Sequence, residues 1–443
     1  MKTIYTAILI SYSIFSSGIL LAQDSLAHKV ITLPQIVNLA VNNSVQLRVS
    51  EKSTEQAKQQ IEIDKLNKLP IISSSGSYGY ISNADIWDPS FSHHQIGQIP
   101  HQDVNLTVQA AEVLSKGGEI TNSLKQASLE EQVAALAQEK NTEDIKFLVA
   151  AQYLDIFRYI NLRKVYVNNV ILAEHRLANI LTLEKQGMVT QNDVLRTQLT
   201  LSDLHLAILR TDNTIAILNK QLNMVTGRPD SARLVPDSTL LNYQMENKNL
   251  ASFIEQGYQE NHELKIAATG NRIAETNIKI LGSDRYPQIS LYSGSSIQRP
   301  FLYNIPAIDI YYNIWQAGIS VSFNISSIYQ SPRKIRAGKI ALEQSIQQET
   351  LQKQNMEVNI GSQYIRYTEA KDELQTYRID LRSAEENYRI VEKKYFNQLA
   401  LLTDLIDATN TKIEGETRVT NAEINTVYTW FQLQKAIGNF KFQ

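Results

Sequence analysis

Set against itself at an offset of 217 residues, the chain matches without a gap from Leu33 to Ser73. Leu33 falls on Leu250, Leu47 on Leu264, Ala57 on Ala274, Ile61 on Ile278, Pro70 on Pro287, and Ile72-Ser73 on Ile289-Ser290. The offset is 215 where Val104 meets Ile319, and 211 where Asp193 meets Asp404, Leu222 meets Leu433 and Gly227 meets Gly438. A long unit that occurs twice, with no catalytic signature in either copy, dictates architecture before chemistry. The halves are 23–227 and 249–443, joined by a linker, 228–248, that contains Pro229 and Pro236.

Within each half the order is helix, strand, strand, long helix, shorter helix. Helical periodicity runs from about Thr32 to Leu69 and from Asn249 to Asp284, and Pro70 and Pro287 stop it. The first half then predicts strands over about 71–81 and 103–112, separated by a loop (82–102), and a hairpin of helices over about 119–226. The second predicts strands over about 288–297 and 313–325 and a hairpin over about 333–438, with Ser331-Pro332 as an N-cap and first-turn proline. The turns fall at Gln186-Gly187-Met188 and Asn397-Gln398-Leu399.

The strands alternate with period two. Val104, Leu106, Val108 and Ala110 face one way and Asp103, Asn105, Thr107 and Gln109 the other; Trp315, Ala317, Ile319, Val321, Phe323 and Ile325 alternate with Gln316, Gly318, Ser320, Ser322 and Asn324. Such strands suit either a membrane barrel with a wet interior or a soluble sandwich edge, and alternation alone divides evenly between the two. Trp315 beside Tyr311 and Tyr312 resembles an interfacial aromatic belt and favours the membrane.

The proline-free stretches after the strands, about 119–185 and 333–397, correspond to helices on the order of 100 Å long at 1.5 Å per residue. Helices of that length pack side by side. Val194, Leu201, Ile208, Ile215 and Leu222 recur every seven residues with Leu204, Leu218 and Val225 between them, which is coiled-coil contact with an antiparallel neighbour.

The 443-residue chain has no cysteine, which removes disulfides, thiolate metal sites and cysteine nucleophiles. Residues 1–22 carry one charge, Lys2, ahead of an apolar run that ends at Ala22, the pattern of a secretory signal peptide; an uncleaved anchor is the alternative, disfavoured by Ser11, Ser13, Ser16 and Ser17. With no cysteine after that segment, amino-terminal lipidation is not expected. The remainder is near neutral, 42 basic against 45 acidic residues, with no basic stripe for nucleic acid. No later run of about 18 apolar residues occurs, so a membrane-crossing form must be closed β-structure.

No enzyme motif stands out, and no cofactor or metal site is expected. His93, His94 and His101 read as a solvated loop, His175, His205 and His262 as helix-surface residues, and Gly117-Gly118 as a turn. Phe440 to Gln443 reads as a tail. The constellation with chemical content is Thr403-Asp404-Leu405-Ile406-Asp407-Ala408, two carboxylates at i and i+3 on one helix face. They either favour the positive helix N-terminus or, repeated about a symmetry axis, form negative rings that select cations.

These segments together resemble the TolC family of outer-membrane efflux proteins. The markers are Ile31-Thr32-Leu33 through Leu39-Ala40 and Asn42-Asn43, the weaker equivalent from Phe253 to Leu264, Pro70 and Pro287 before the strands, and Thr403 to Thr409 with Gly438 closing the last helix. The resemblance implies a mainly α chain with membrane β-strands, assembled as a homotrimer whose four strands per protomer make a twelve-stranded barrel above a helical tunnel. It implies a passive duct in the outer membrane that extends into the periplasm, partnered by a periplasmic adaptor and an inner-membrane pump in efflux or type I secretion. It places gate aspartates on Asp404 and Asp407 and a gate tyrosine on Tyr395. The family's arginine falls on Ala400 and its turn glycine on Gln398, so the closed-state bonding must differ. The repeat sets Arg196 opposite Asp407, as Asp193 is opposite Asp404, and nominates Arg196 as the replacement cation.

Three other readings are distinguishable. A secreted or periplasmic coiled-coil scaffold or adhesin has one long hairpin and no paired lipid-facing strands. An adaptor has a single hairpin within a β-rich domain. An enzyme needs a nucleophile, base and oriented partner that nothing here supplies.

Overall fold

The computed structural model describes residues 30–237, 248–304 and 306–440. The signal-peptide segment and much of the linker lie outside them. The element order is β1 (Val30–Ile31), α1 (Leu33–Asn43), α2 (Val45–Leu66), β2 (Ile71–Tyr80), β3 (Ala84–Trp87), β4 (His94–Gly97), β5 (Gln102–Lys116), α3 (Glu119–Lys185) and α4 (Gln191–Thr226). After β6 (Val235–Pro236) the plan recurs as α5 (Leu250–Glu260), α6 (His262–Ser283), β7 (Gln288–Arg299), β8 (Tyr312–Ser322), α7 (Ser327–Phe396) and α8 (Leu402–Ile437). Two hairpins and four paired strands exclude the single-hairpin scaffold.

The chain divides into two compact units. One holds 1–50, 138–264 and 352–443 as far as these are described, the other 51–137 and 265–351. The first unit is helical. Its main core gathers Ile36, Tyr153, Leu154, Leu222, Phe253, Ile360, Trp430 and Phe431 from both halves. The parallel pair β1–β6 closes one side, and Tyr153 holds it: the phenol donates to the Ile31 carbonyl at 2.8 Å and accepts from Asp237 N–H at 2.7 Å. Phe440 is not a tail but is buried, edge-on to Phe431 and Phe147.

Where sequence periodicity predicts one helix at the head of each half, the structure has two. Ser44 and Asn261, 217 residues apart, have extended backbone between α1 and α2 and between α5 and α6. Each caps the helix it precedes: Leu47 N–H donates to Ser44 Oγ, and Asn261 Oδ1 accepts from Glu263 and Leu264 N–H at 3.0 and 3.1 Å. The end of the returning helix packs against each joint. Gly227 and Gly438 close α4 and α8 at positive φ, and a Cβ on Gly438 would lie 2.8 Å from Asn261 Cα.

The second unit holds an antiparallel sheet ordered β2-β5-β7-β8. Register puts Ile72, Ala110, Ser293 and Ala317 in one cross-strand row and Gly76, Leu106, Ile297 and Asn313 in another. Trp315, Ile319 and Val321 share that apolar face, whereas Ser73, Gln109, Gly294 and Gln316 line the other. Tyr312, expected in an aromatic belt with Trp315, lies instead on the wet face: it pairs with Gln298, to which its hydroxyl donates, and packs on Phe301 and Tyr303. Tyr311 precedes the strand, its ring 5.2 Å from the Arg299 guanidinium.

The loop expected over 82–102 contains the hairpin β3–β4, built on Asp88, which accepts from Ser90, from Ser92 twice and from His93. α7 begins at Ser327, not at Pro332, which the helix carries as its sixth residue. The N–H groups of Ser327 to Gln330 bond back to Asn324, Ile325 and Ser326, and proline, which has no N–H, deletes one i→i−4 bond in the second turn.

Candidate functional site

The two hairpin ends form a second apolar cluster in the helical unit. Ile180 from α3, Val194 from α4, Tyr388 and Tyr395 from α7, and Leu402, Leu405 and Ala408 from α8 are buried, with Leu177, Val391, Ala400 and Ile406 packed around them. Both turns use the same backbone. Gly187 N–H donates to Glu184 O and Met188 N–H to Leu183 O, as Gln398 N–H does to Tyr395 O and Leu399 N–H to Lys394 O. The central residue is left-handed in each, φ +75° at Gly187 and +60° at Gln398. Gln398 therefore occupies a glycine conformation with a side chain, at a cost of about 1 kcal/mol.

Asp193 and Asp404 do the same local work. Asp193 Oδ2 accepts from Thr190 N–H and Oγ1–H at 2.9 and 3.0 Å, and Asp404 Oδ2 accepts from Leu401 N–H at 3.0 Å. Each carboxylate satisfies an amide at the start of its helix. Asp407, one turn on, is exposed, and its carboxylate has no hydrogen-bond partner among the described residues. The pair thus splits into one engaged and one free carboxylate.

Tyr395 is buried and its hydroxyl has no hydrogen-bond partner among the described residues. Burial pushes its phenol up, Asp193 adds to the shift and Arg176 opposes it, so Asp193 and Tyr395 share one electrostatic environment. Arg196 is exposed, and no ion pair joins it to Asp407 among the described residues.

The buried cation of this cluster is Arg176, which sequence reasoning passed over. It is 5% exposed, lies 5.6 Å over the Tyr388 ring and donates from Nη2 to Tyr388 Oη at 3.1 Å, while its buried Nε has no acceptor among the described residues. The Tyr388 hydroxyl donates in turn to Glu392, and Lys412 sits 4.9 Å over the same ring. Burial and Glu392 raise the Tyr388 phenol, with Arg176 opposing, so it stays a neutral donor. Nearby, Asn169 of α3 donates to Glu416 of α8 at 2.7 Å. The signal was present: Asn169, Ala173, Arg176 and Ile180 step by four, three and four along α3, which puts a guanidinium in the apolar seam.

Among the described residues no helix is long and apolar enough to cross a membrane, and no group of three or more His, Asp or Glu is placed to hold a metal. His93, His94 and His101 turn to separate partners, Asp88, Asp85 and the Ile81 carbonyl.

Residues 253–439 match the sequence model of the outer membrane efflux protein family. Solved channels share the fold across nearly the whole chain. The outer membrane protein VceC of Vibrio cholerae superposes with a TM-score of 0.75 at 12% identity, covering 92% of this chain and 97% of its own. For CusC the values are 0.75, 14%, 92% and 92%, and for the open state of the MtrE channel of Neisseria gonorrhoeae 0.72, 14%, 92% and 89%. No curated protein matches the sequence. The chain therefore has a TolC-like fold, and its second half carries the efflux family's sequence.

Proposed function

We propose that this chain is the outer-membrane duct of a tripartite efflux or type I secretion system, a homotrimer that conducts passively and closes at its hairpin ends. One observation carries the reading: the sheet β2-β5-β7-β8 has one apolar and one wet face, and its outer strands β2 and β8 each leave an edge unpaired. An open sheet edge is untenable in lipid, where every backbone group needs a partner. Copies that join β8 to β2 satisfy both edges, and three copies of four strands make twelve. The apolar row of Trp315, Ile319 and Val321 then meets lipid, and the serine- and glutamine-rich face lines the pore.

The same logic accounts for the helices. α4 buries the seam of Val194, Leu204, Ile215 and Leu222, yet Leu195, Leu199, Leu206, Leu209 and Ile217 remain exposed on its other side; α7 exposes Leu351, Val358, Ile365 and Ile379 at heptad spacing. Two bare apolar seams on one chain suit packing against neighbouring copies. In this reading the hairpin ends are the gate: Arg176, Tyr388 and Glu392 tie α3 to α7, Tyr395 and Asp193 add to the closure, and Asp407 presents a ring of negative charge. Arg196, whose side chain has no partner among the described residues, serves Asp407 of a neighbour. An adaptor protein engages the hairpin ends from outside, and an inner-membrane pump supplies the energy.

Purification from outer membranes in detergent, native mass spectrometry and planar-bilayer recording test the reading together. The expected result is a trimer with discrete cation-preferring conductance. A monomer that stays soluble without detergent and forms no pore contradicts it.

A further inference from the structure

In the unit that holds the sheet, the helices follow the order of the strands. Thr54 of α2 donates to the Ala134 carbonyl of α3 at 3.3 Å, Arg272 of α6 donates to Gln132 of α3 at 3.2 Å, and Ser331 of α7 donates to the Leu281 carbonyl of α6 at 3.3 Å. α2 and α7 are therefore the outer helices, as β2 and β8 are the outer strands, and each turns one flank away from its partner. On α2 that flank carries Glu55, Gln59, Glu62 and Leu66, exposed and spaced by four, three and four. On α7 it carries Gln330, Arg333, Ala337 and Ile340, exposed and spaced by three, four and three.

The two flanks are opposite in charge. From Ser327 to Leu342, α7 holds Arg333, Lys334, Arg336 and Lys339 and no acid. Lys334 is matched by Asp284 at 2.7 Å, but the side chains of Arg333 and Arg336 have no hydrogen-bond or ion-pair partner among the described residues. On α2, Glu62 meets Lys65 and Glu55 meets Lys52, exposed pairs within one helix that stabilise little.

The repeat sets the register. Thr54 and Asn271 are 217 residues apart, and their partners, Ala134 and Ser345, are 211 apart, so α2–α3 and α6–α7 are the same joint. The joint between the halves, α3 with α6, recurs only if α7 meets the α2 of another copy. Carried over by the same offsets, the contact of Ser283 with Glu119 brings Leu66 level with Gln330, and that of Arg272 with Gln132 brings Glu55 level with Glu343, where Lys52 supplies a cation. Glu62, one turn before Leu66, then falls level with Lys334, and the unmatched cations beside it are Arg333 and Arg336. Leu66 and Ile63, both exposed, come level with the exposed Tyr329.

We propose that this seam is keyed by charge: Glu62 on α2 of one copy pairs with Arg333 on α7 of the next, with Arg336 beside it. The inference rests on the assembly proposed above and adds a polarity to it. Inside a chain the cation of the equivalent joint, Arg272, sits on α6 and its acceptor on α3; between copies the cations sit on α7, the counterpart of α3. An α7 flank is thus attracted by α2 and repelled by the Arg272 flank of α6, so copies join at the edge helices and in one order.

Charge reversal in the full chain, purified in detergent, tests this, with subunit exchange between isotopically labelled and unlabelled trimers followed by native mass spectrometry. Glu62→Arg and Arg333→Glu, both at exposed positions, should each speed exchange about tenfold by setting like charges against each other, and the combined variant should return to the parent rate. Single variants that exchange at the parent rate, or a combined variant no slower than the singles, overturn the proposal. An effect of Arg333→Glu without one of Glu62→Arg also overturns it, because the arginines then serve another anion. Oxidation of the Glu62→Cys, Arg333→Cys chain separates the levels of the argument: it should link copies into dimers and trimers. No link here while cysteines on β2 and β8 do bridge copies refutes the helix register alone, and no link at either place refutes the assembly with it.

Discussion

Arg176 of α3 and Tyr388 of α7 are joined by a 3.1 Å hydrogen bond inside the hairpin-end cluster, and Tyr388 passes its own hydrogen to Glu392. A guanidinium has five donors, and this one has a buried Nε with no acceptor among the described residues. A buried cation so sparsely served adds little to stability but fixes which residues face each other. The buried cation beside this cluster thus comes from the long helix α3, while Ala400 contributes only apolar packing.

Replacing the cation and stranding it should differ. Arg176→Met fills the seam with an apolar chain of similar length and is expected to change unfolding free energy by less than about 1 kcal/mol while raising resting conductance. Tyr388→Phe leaves Arg176 without its acceptor and should cost about 1–3 kcal/mol. Thermal or chemical denaturation ranks the two, and the reverse order refutes the buried-cation account.

At the second turn Gln398→Gly should stabilise the chain by about 1 kcal/mol, because the left-handed backbone at +60° penalises a Cβ. A loss of stability in the same denaturation experiment contradicts the turn assignment.

The two aspartates should separate. Asp404→Asn removes a charged cap and is expected to cost about 0.5 kcal/mol. Asp407→Asn should leave stability unchanged and weaken cation selectivity, and the double variant should weaken it further. Reversal potentials in a salt gradient that do not move with either change would eliminate the charged ring.

The Arg196 side chain has no hydrogen-bond or ion-pair partner among the described residues, so Arg196→Ala should fold as the parent does. Its effect is confined to the assembly: closed-state conductance rises if it serves Asp407 of a neighbour. Unchanged conductance leaves Arg176 as the cation of the gate.

Much of this fold was legible because its signals are long. α3 has the expected bounds, set by Gly117 and Gly118 at positive φ before it and Gly187 after it. The strand faces followed from period two as far as Ser322, where β8 ends, so Phe323 and Ile325, expected on its apolar face, lie past the strand; Tyr312, expected by aromatic type with Trp315, falls by parity on the wet face. Short events were not legible. The breaks at Ser44 and Asn261 interrupt the helix for one residue while the apolar spacing continues, and the hairpin β3–β4 is held by Asp88 and its hydroxyl and imidazole neighbours, not by apolar alternation. At the hairpin ends Asp404 and Tyr395 were nominated by resemblance and Asp193 by the repeat, and Arg176 was missed, because a charged residue in a seam reads as solvent-facing until its neighbours are known.

The most direct test of the central claim exploits the absence of native cysteine. Cysteines placed on the wet face of both edge strands, Ser73, Ser75 or Ser77 on β2 with Gln316 or Ser320 on β8, can bridge only where two strands lie side by side, with Cα atoms about 4.4–6.8 Å apart. Oxidation of the outer-membrane form, followed by non-reducing denaturing electrophoresis, should give a ladder of monomer, dimer and trimer that ends at three for at least one pairing. No intermolecular bridge for any pairing, or a ladder that continues past three, would contradict a barrel closed by three copies.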